Sequence, residues 1–217
     1  MEIQVKLPGV KLGVVEAHDA RVETAQPELT QLLDEVCGRK QKEFTVESLA
    51  EADSIRAVRG LFREWGMDPS KYRPASEALL RRVVQGKGLY RVSNVVDTGN
   101  LSSIETGWPL GCYDVSRIQE PLTLRLGATG ESYEGIGKKE WNLEGRPVLA
   151  DAAGPFGSPI SDSTRSMITP AAARVMIVIY VPLKFSDETA QRAMERLGER
   201  LKKFAGASRI ESAICRS

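Results

Sequence analysis

The run from Arg174 to Val181 constrains the fold of this chain more than any other segment. After the arginine it reads Val-Met-Ile-Val-Ile-Tyr-Val, an almost continuous series of apolar, mostly β-branched side chains. A run of this length without polar alternation is typical of a strand that is buried on both faces. The sequence therefore predicts a sheet with its central strand inside the protein.

The rest of the chain supplies further predicted elements. Residues 1–7 alternate like a half-buried strand, and 10–17 form a second strand. The spacing of apolar side chains predicts four helices, at 26–38 ending on Gly38, at 48–65, at 76–85 with Ser76 as N-cap, and at 186–205 with Ser186 as N-cap. Residues 89–182 are rich in glycine, proline and short apolar runs, which favours a β-rich core with functional loops. A last strand is expected near 210–215.

Length and composition point to one domain of α+β type. The chain has 217 residues, of which 41% are hydrophobic and 27% charged, as in ordinary globular proteins. No apolar stretch approaches the roughly 20 residues that span a bilayer, and the N-terminus lacks a signal-peptide core. The cysteines Cys37, Cys112 and Cys215 are odd in number and lack metal-ligand spacing. We therefore expect a cytoplasmic protein with no membrane partner, no metal and no other cofactor.

Charge is balanced over the whole chain but not locally. The formal net charge is +1, which by itself gives no argument for nucleic-acid binding. Between residues 71 and 91, however, one acid, Glu77, faces six bases: Lys71, Arg73, Arg81, Arg82, Lys87 and Arg91. This run is either a contact surface for tRNA or a solvated helix face.

Two segments carry residues suited to chemistry. In the first, Asn94-Val-Val-Asp97-Thr-Gly-Asn100 precedes a glycine-containing stretch up to Asp114. In the second, the predicted strand 148–151 runs into a loop dense in glycine, proline, serine and aspartate, up to Thr164. Such residues let a ligand approach the backbone closely, but they equally form turns and caps that satisfy local backbone groups. The residues alone leave both interpretations open.

Standard catalytic signatures are missing from the sequence. It contains no phosphate-binding G-x-x-x-x-G-K-[ST] loop, no G-x-S-x-G elbow and no H-E-x-x-H helix. His18 is the sole histidine, which argues against histidine-based triads and sites with several histidine ligands. Cys112 is a possible nucleophile, although free cysteines are commonly buried spectators.

The first segment, with Ser76-Glu-Ala-Leu-Leu-Arg-Arg before it and Gly107, Pro109-Leu110 and Tyr113-Asp114 after it, resembles the editing domain of the phenylalanyl-tRNA synthetase beta subunit. That domain shows a similar N-x-V-V-D-x-x-N stretch and then G-x-P-L-H-A-F-D at the same distance. The likeness covers roughly residues 56–182, between an N-terminal part (1–50) and a C-terminal helix and strand (186–217). The loop G-P-F-G-S-P-x-S-D-S is closer to stand-alone members of the family.

The resemblance implies an unusual β-sandwich with flanking helices, and hydrolysis in trans of mischarged aminoacyl-tRNA bound by its acceptor end. The candidate catalytic residues are Asn100, Asp97 and Asp162; the candidate pocket residues are Gly111, Gly154, Gly157, Ser158 and Ser161; the candidate tRNA contacts are Lys71, Arg73, Arg81, Arg82 and Lys87. Asn100 would orient the water or the ester, an aspartate would bind the α-ammonium group, and amides of 154–158 would hold the oxyanion.

One departure from the family pattern changes the expected pocket. Gly111 stands where the synthetase has a histidine, so a polar ligand contact is missing and tyrosine is not the expected substrate. A non-catalytic module that binds tRNA or an amino acid on the same fold is therefore the alternative. A small-molecule hydrolase or sensor unrelated to tRNA is a third interpretation. The amino acid, the tRNA and the oligomeric state are not predicted.

Overall fold

A computed structural model describes residues 1–24, 26–137 and 140–217 of the protein. The strands of this part are β1 (Ile3–Val5), β2 (Val10–His18), β3 (Leu110–Asp114), β4 (Leu122–Leu126), β5 (Ser132–Glu134), β6 (Glu140–Asn142), β7 (Pro147–Asp151), β8 (Gly154–Gly157), β9 (Val175–Pro182) and β10 (Arg209–Cys215). The helices are α1 (Pro27–Glu43), α2 (Asp53–Glu64), α3 (Ala75–Val84), α4 (Asn94–Thr106) and α5 (Asp187–Ala205). The predicted mixture of helices and sheets is confirmed.

Two four-stranded sheets form the β-sandwich that the resemblance implies. The first sheet has the order β1-β4-β7-β8 and the second has the order β10-β2-β9-β3, while β5 and β6 form a separate ribbon. Strand β1 runs parallel to β4, and the other pairs are antiparallel. Apolar side chains of both sheets, among them Ile3, Leu124, Leu12 and Ile177, belong to one core cluster.

The predicted central strand is confirmed as β9, in which every residue is buried. Strand β2 pairs with one edge of β9 from Val10 to Ala17, and β3 pairs with the other edge, where Gly111 lies opposite Val178 and Tyr113 opposite Met176. Because side chains alternate between the faces of a strand, Gly111 and Tyr113 lie on the same face of β3.

The helices cover the second sheet and form a second core. In α5 the predicted cap is confirmed, because the Ser186 hydroxyl oxygen accepts a hydrogen bond from the Thr189 N–H at 3.1 Å. Helix α5 packs on β2, where a Cβ at Gly13 would overlap the sulfur of Met194. Helices α1, α3 and α4 share a separate apolar cluster that includes Phe204 of α5.

Three helix boundaries differ from the prediction. Helix α1 continues through Gly38 to Glu43, since open space around Gly38 leaves only an intrinsic propensity loss of about 1 kcal/mol. The segment 48–65 is a 3-10 turn (Ser48–Glu51) followed by α2, because Ala52, with φ −56° and ψ 132°, is not helical. The N-cap of α3 is Pro74; the hydroxyl of Ser76 is buried without a hydrogen-bond partner among the described residues.

The largest error of the sequence prediction is α4, which lies inside the segment expected to be β-rich with loops. Ser93 caps this helix by accepting a hydrogen bond from the Val96 N–H at 3.3 Å, and Gly107 ends it with a left-handed φ of 73°. The motif from Asn94 to Asn100 is therefore helical. Among the described residues, no helix is long and apolar enough to cross a membrane.

A buried carboxylate ties α2 to α3. The Glu77 side chain is fully buried, and it accepts two hydrogen bonds of 2.8 Å from Arg59 and one of 2.8 Å from Arg81. Burial by itself would raise the pKa of Glu77, but the hydrogen bonds from the two arginines hold it below its usual range. The charged form of Glu77 thus stabilises this helix pair.

We predict that Glu77→Gln lowers the free energy of unfolding by about 3 kcal/mol, because it leaves two arginines without their shared counter-charge. Urea unfolding at pH 7 measures the loss. As the pKa of Glu77 is depressed in the folded state, the wild-type advantage should disappear when the pH falls through that pKa.

Glu188→Gln is the matched control, since Glu188 pairs with Arg192 on the exposed face of α5. No measurable change is expected there, because exposed ion pairs contribute little to stability. Equal losses in the two variants would contradict the structural role of Glu77.

Candidate functional site

One cavity of about 540 Å³ collects most of the polar and cationic residues of interest. It lies between α3, α4, the start of β3 and the loop that follows β8. Its lining residues are Arg73, Ala75, Ala78, Leu79, Arg81, Arg82, Gln85, Lys87, Tyr90, Asn100, Ser103, Leu110, Ile160, Ser161 and Asp162. The lining thus combines apolar side chains, one carboxylate (Asp162) and four cations (Arg73, Arg81, Arg82 and Lys87).

Asp162 is the acidic group of the cavity. Its Oδ1 accepts hydrogen bonds from the Tyr113 hydroxyl at 2.6 Å and from the Ser158 N–H at 3.2 Å. The residue is partly exposed at the cavity wall, but the protein packed around its carboxyl group raises the pKa of Asp162 to about 7. The hydrogen bonds from Tyr113, Ser158 and the Cys112 backbone oppose this change. Near neutral pH the group can therefore either accept or give a proton.

Tyr113 is held behind Asp162 by two glycines. A Cβ at Gly111 or at Gly157 would overlap the hydroxyl end of the Tyr113 ring. The ring also meets Phe156 edge to face, with 5.0 Å between centroids. Gly111, where the resembling synthetase domain carries a histidine, is thus required by the phenol that reaches over it. This packing fixes the donor that orients the Asp162 carboxyl.

Asn100 and Asp97 lie one turn apart on α4 but have different surroundings. Asn100 lines the cavity, and its side-chain amide makes no hydrogen bond with the described part of the chain. Asp97 is fully buried outside the cavity lining, where one carboxyl oxygen accepts the Val92 N–H at 2.9 Å. The structure therefore brings Asn100 and Asp162 together, whereas Asp97 caps the loop before α4.

Of the predicted pocket residues, one lines the cavity and the others lie outside it. Only Ser161 lines the cavity, while Gly111 and Gly157 pack on Tyr113 behind it. Ser158 shapes the loop, because its hydroxyl donates to the Ser161 carbonyl at 2.7 Å and its N–H is taken by Asp162. Gly154 is the first residue of β8 and lies outside the cavity lining, and its carbonyl accepts a hydrogen bond from Arg165 at 3.1 Å. The backbone amide of Ser158 is thus not free for an oxyanion.

Four of the five predicted tRNA contacts lie on the cavity, and Lys71 does not. Arg81 is committed to Glu77, and Arg73 lies 3.7 Å from the same carboxylate. Arg82 and Lys87 form no ion pair with any described residue. The uncompensated positive charge at the cavity therefore comes from Arg82 and Lys87.

Cys112 and His18 lie outside the lining of this cavity. Burial raises the pKa of the Cys112 thiol far above its usual value, which disfavours the nucleophilic thiolate. His18 is near Glu16 and Glu211, and these are the only three metal-ligating side chains found close together in the described ranges. Glu16 is already bound by the N-terminal amine and by Arg174. Neither place belongs to the cavity lining.

Comparison with known proteins shows the family. The sequence model described as the B3/4 domain matches residues 57–206. The chain belongs to the B3/4 domain family. A phenylalanine–tRNA ligase beta subunit from Neisseria meningitidis is 24% identical over 157 residues, which are 68% of this chain and 19% of the ligase subunit. The subunit from Moorella thermoacetica is 26% identical over 169 residues, which are 76% of this chain and 19% of that subunit.

This B3/4 chain thus spans about a fifth of the length of those ligase subunits, 19% in both cases. A solved N-terminal fragment of the phenylalanyl-tRNA synthetase beta subunit from Pyrococcus horikoshii aligns with 100% of this chain and 54% of its own, at a TM-score of 0.48 and 14% identity. The relation to the beta subunit that the motif from Asn94 to Asn100 predicted is confirmed by the family match together with the similarity to the ligase beta subunits.

Two residues of the site were missed in the sequence. Tyr113 belongs to the motif that resembles the family, but its partner Asp162 is 49 residues away, so no local signal connects the two. Tyr90 lines the cavity and lies within the basic run of residues 71–91. An aromatic residue among clustered cations is a pattern typical of single-stranded nucleic-acid binding, and it was available as a signal.

We predict that Asp162 makes the stability of the protein fall as the pH rises from about 4 to about 7. A carboxyl whose folded pKa is raised binds its proton more tightly in the folded state, so this stabilisation is complete below the unfolded pKa and is lost above the folded one. The total change is on the order of 4 kcal/mol, because each pKa unit corresponds to about 1.4 kcal/mol. Urea unfolding at a series of pH values measures it.

Asp162→Asn should remove this slope while keeping an oxygen that can accept the Tyr113 hydroxyl and the Ser158 N–H. Asp114→Asn is the comparison, because Asp114 is a buried aspartate that caps a short turn after β3. If wild type and Asp162→Asn show the same pH dependence, the raised pKa is wrong.

Proposed function

We propose that the protein acts in trans on mischarged aminoacyl-tRNA and hydrolyses the ester between the amino acid and the terminal ribose. The observation that carries this proposal is the meeting of Asn100 and Asp162 in one cavity whose lining also carries Arg82 and Lys87. The relatives are named as subunits of a ligase that acts on tRNA, which makes an aminoacyl-tRNA the natural substrate class to test.

The reaction needs one proton acceptor and one donor to the carbonyl oxygen. The Asp162 carboxylate takes a proton from a water molecule as the water oxygen forms its bond with the ester carbonyl carbon. The Asn100 amide donates a hydrogen bond to the developing oxyanion. When the carbon–oxygen ester bond breaks, the same Asp162 proton passes to the departing ribose oxygen. A pKa of about 7 lets Asp162 perform both transfers.

The cavity holds the groups that would select the amino acid. Leu79, Leu110 and Ile160 form an apolar wall, and Ser161 stands next to Asp162 in the loop. Gly111 adds no side chain to this wall, and the phenol of Tyr113 fills the space above it. The pocket therefore differs from one with a histidine at this position, which supports a substrate other than tyrosine.

We predict that the purified protein releases the amino acid from at least one mischarged tRNA in a panel of correctly and incorrectly charged species. The rate should rise with pH to a plateau, with a midpoint near 7 set by the pKa of Asp162. Asp162→Asn should slow deacylation by about 10² to 10⁴-fold and remove this midpoint. Asn100→Ala should slow it by about 10² to 10³-fold.

Glu188→Gln, on the exposed face of α5, is the control and should keep the wild-type rate. A full rate in Asp162→Asn would contradict the base assignment. If the folded protein binds charged tRNA but hydrolyses none of the panel, the non-catalytic binding module becomes the better interpretation.

A second prediction tests the tRNA partner itself. The double variant Arg82→Glu/Lys87→Glu should weaken tRNA binding and lower the salt dependence of log Kd by about 0.7 to 0.9 per lost phosphate contact. Fluorescence anisotropy with labelled tRNA at several salt concentrations measures both. Arg81 is left intact in this variant because it stabilises Glu77.

Arg192→Glu/Arg196→Glu is the matched double charge reversal, since Arg192 and Arg196 are exposed cations of α5 outside this cavity. Equal weakening by both variants would indicate attraction by net charge alone. The absence of any salt-dependent affinity for tRNA in the wild-type protein would favour the small-molecule hydrolase or sensor.

A further inference from the structure

Tyr90 is an aromatic side chain that the fold leaves in solvent. It lies in the loop between α3 and α4 and is 55% exposed. Five large apolar or aromatic side chains are exposed in the described ranges, and Tyr90 is the one that lines the cavity of Asn100 and Asp162. An aromatic ring stabilises a fold mainly through its burial. The exposed Tyr90 ring therefore contributes little to the stability of the free protein.

One partner of the Tyr90 ring is a cation. The guanidinium carbon of Arg82 lies 4.0 Å from the ring centroid, which is cation–π distance. The Nε of Arg82 is buried and makes no hydrogen bond to any described residue. Arg82 is therefore held against the ring without an acidic partner, and its charge stays available to an anion.

The cations around Tyr90 differ in how far they are neutralised. Arg81 and Arg73 share the carboxylate of Glu77, as described above. Lys87, three residues before Tyr90, lines the same cavity and is unpaired within the described part of the chain. An exposed ring beside two unpaired cations matches the combination that binds single-stranded nucleic acid, in which a base stacks on the ring and cations contact the backbone.

We propose that Tyr90 and Arg82 form a stacking platform for the nucleobase of the terminal nucleotide, with Lys87 contacting a phosphate. This inference rests on the proposed function, since it deepens the assignment of an RNA end to the same cavity. The platform and the pair of Asn100 and Asp162 line one cavity. A nucleoside held at the platform can therefore present an ester on its ribose to the reacting groups.

The experiment compares two uncharged RNA minihelices with a single-stranded 3′ end, identical except that the terminal nucleotide of one lacks its base. Fluorescence anisotropy gives Kd for each with wild type, Tyr90→Ala, Tyr90→Phe and Val92→Ala. Val92 is the control because it is 62% exposed in the same loop but does not line the cavity. Thermal unfolding of each variant verifies that the exposed substitutions leave the fold intact.

Wild type should bind the intact end more tightly than the abasic end by about 5- to 150-fold, the usual range for one stacked base. Tyr90→Ala should lose this difference by weakening the intact end only, whereas Tyr90→Phe and Val92→Ala should keep it. If wild type binds the two ends equally, or if Tyr90→Ala weakens both equally, the platform is wrong.

This experiment tests the platform independently of the proposed hydrolysis, because the minihelices carry no amino acid and only binding is measured. Base-dependent binding that needs Tyr90, in a protein that deacylates nothing, would support the platform and contradict the hydrolase. Deacylation that is unchanged in Tyr90→Ala, together with equal binding of both ends, would support the hydrolase and contradict the platform.

Discussion

The complete burial of β9 is the constraint on which the rest of the structure depends. A strand without exposed residues must be hydrogen-bonded at both edges and covered on both faces. Here β2 and β3 take the edges, α2 contacts the strand, and apolar side chains of α5 and of the first sheet belong to the same core cluster as β9. The pairing with β9 fixes the register of β3. A slip by one residue would turn Tyr113 to the opposite face and remove the donor from Asp162. The chemistry of the cavity is thus set by an apolar strand that does not line it.

The packing of Tyr113 shows how a cavity whose lining has no histidine can hold a group with a pKa near neutral pH. The phenol reaches over Gly111 and against Gly157, which leaves no room for side chains at those positions. Its hydroxyl binds Asp162 in a place where burial raises the pKa of the carboxyl to about 7. An aspartate in low-dielectric surroundings can thus occupy the pH range that an exposed histidine covers.

The sequence predicted those elements whose signal is local. The apolar run of β9 and the Ser186 cap of α5 can each be recognised from a few consecutive residues. Helix α4 was missed because valines and a glycine weaken its helical pattern, and its amphipathic face is unclear where both sides are buried. With α4 unrecognised, Asp97 and Asn100 looked equivalent. The pair of Tyr113 and Asp162 could not be predicted, since it forms only where the two sheets meet.

The same cavity also suggests how discrimination between amino acids would arise. Its apolar wall of Leu79, Leu110 and Ile160 can distinguish side chains that differ by a methylene only by about 10 to 200-fold. Stronger rejection, about 10⁴-fold, needs a buried polar group that is left unpaired by the wrong substrate. The Ser103 hydroxyl cannot serve, because it donates to the Trp108 carbonyl at 2.9 Å. Under the proposed function, Asn100 is the polar group that remains available to a substrate, because its partly buried amide lines the cavity and is unpaired within the described residues.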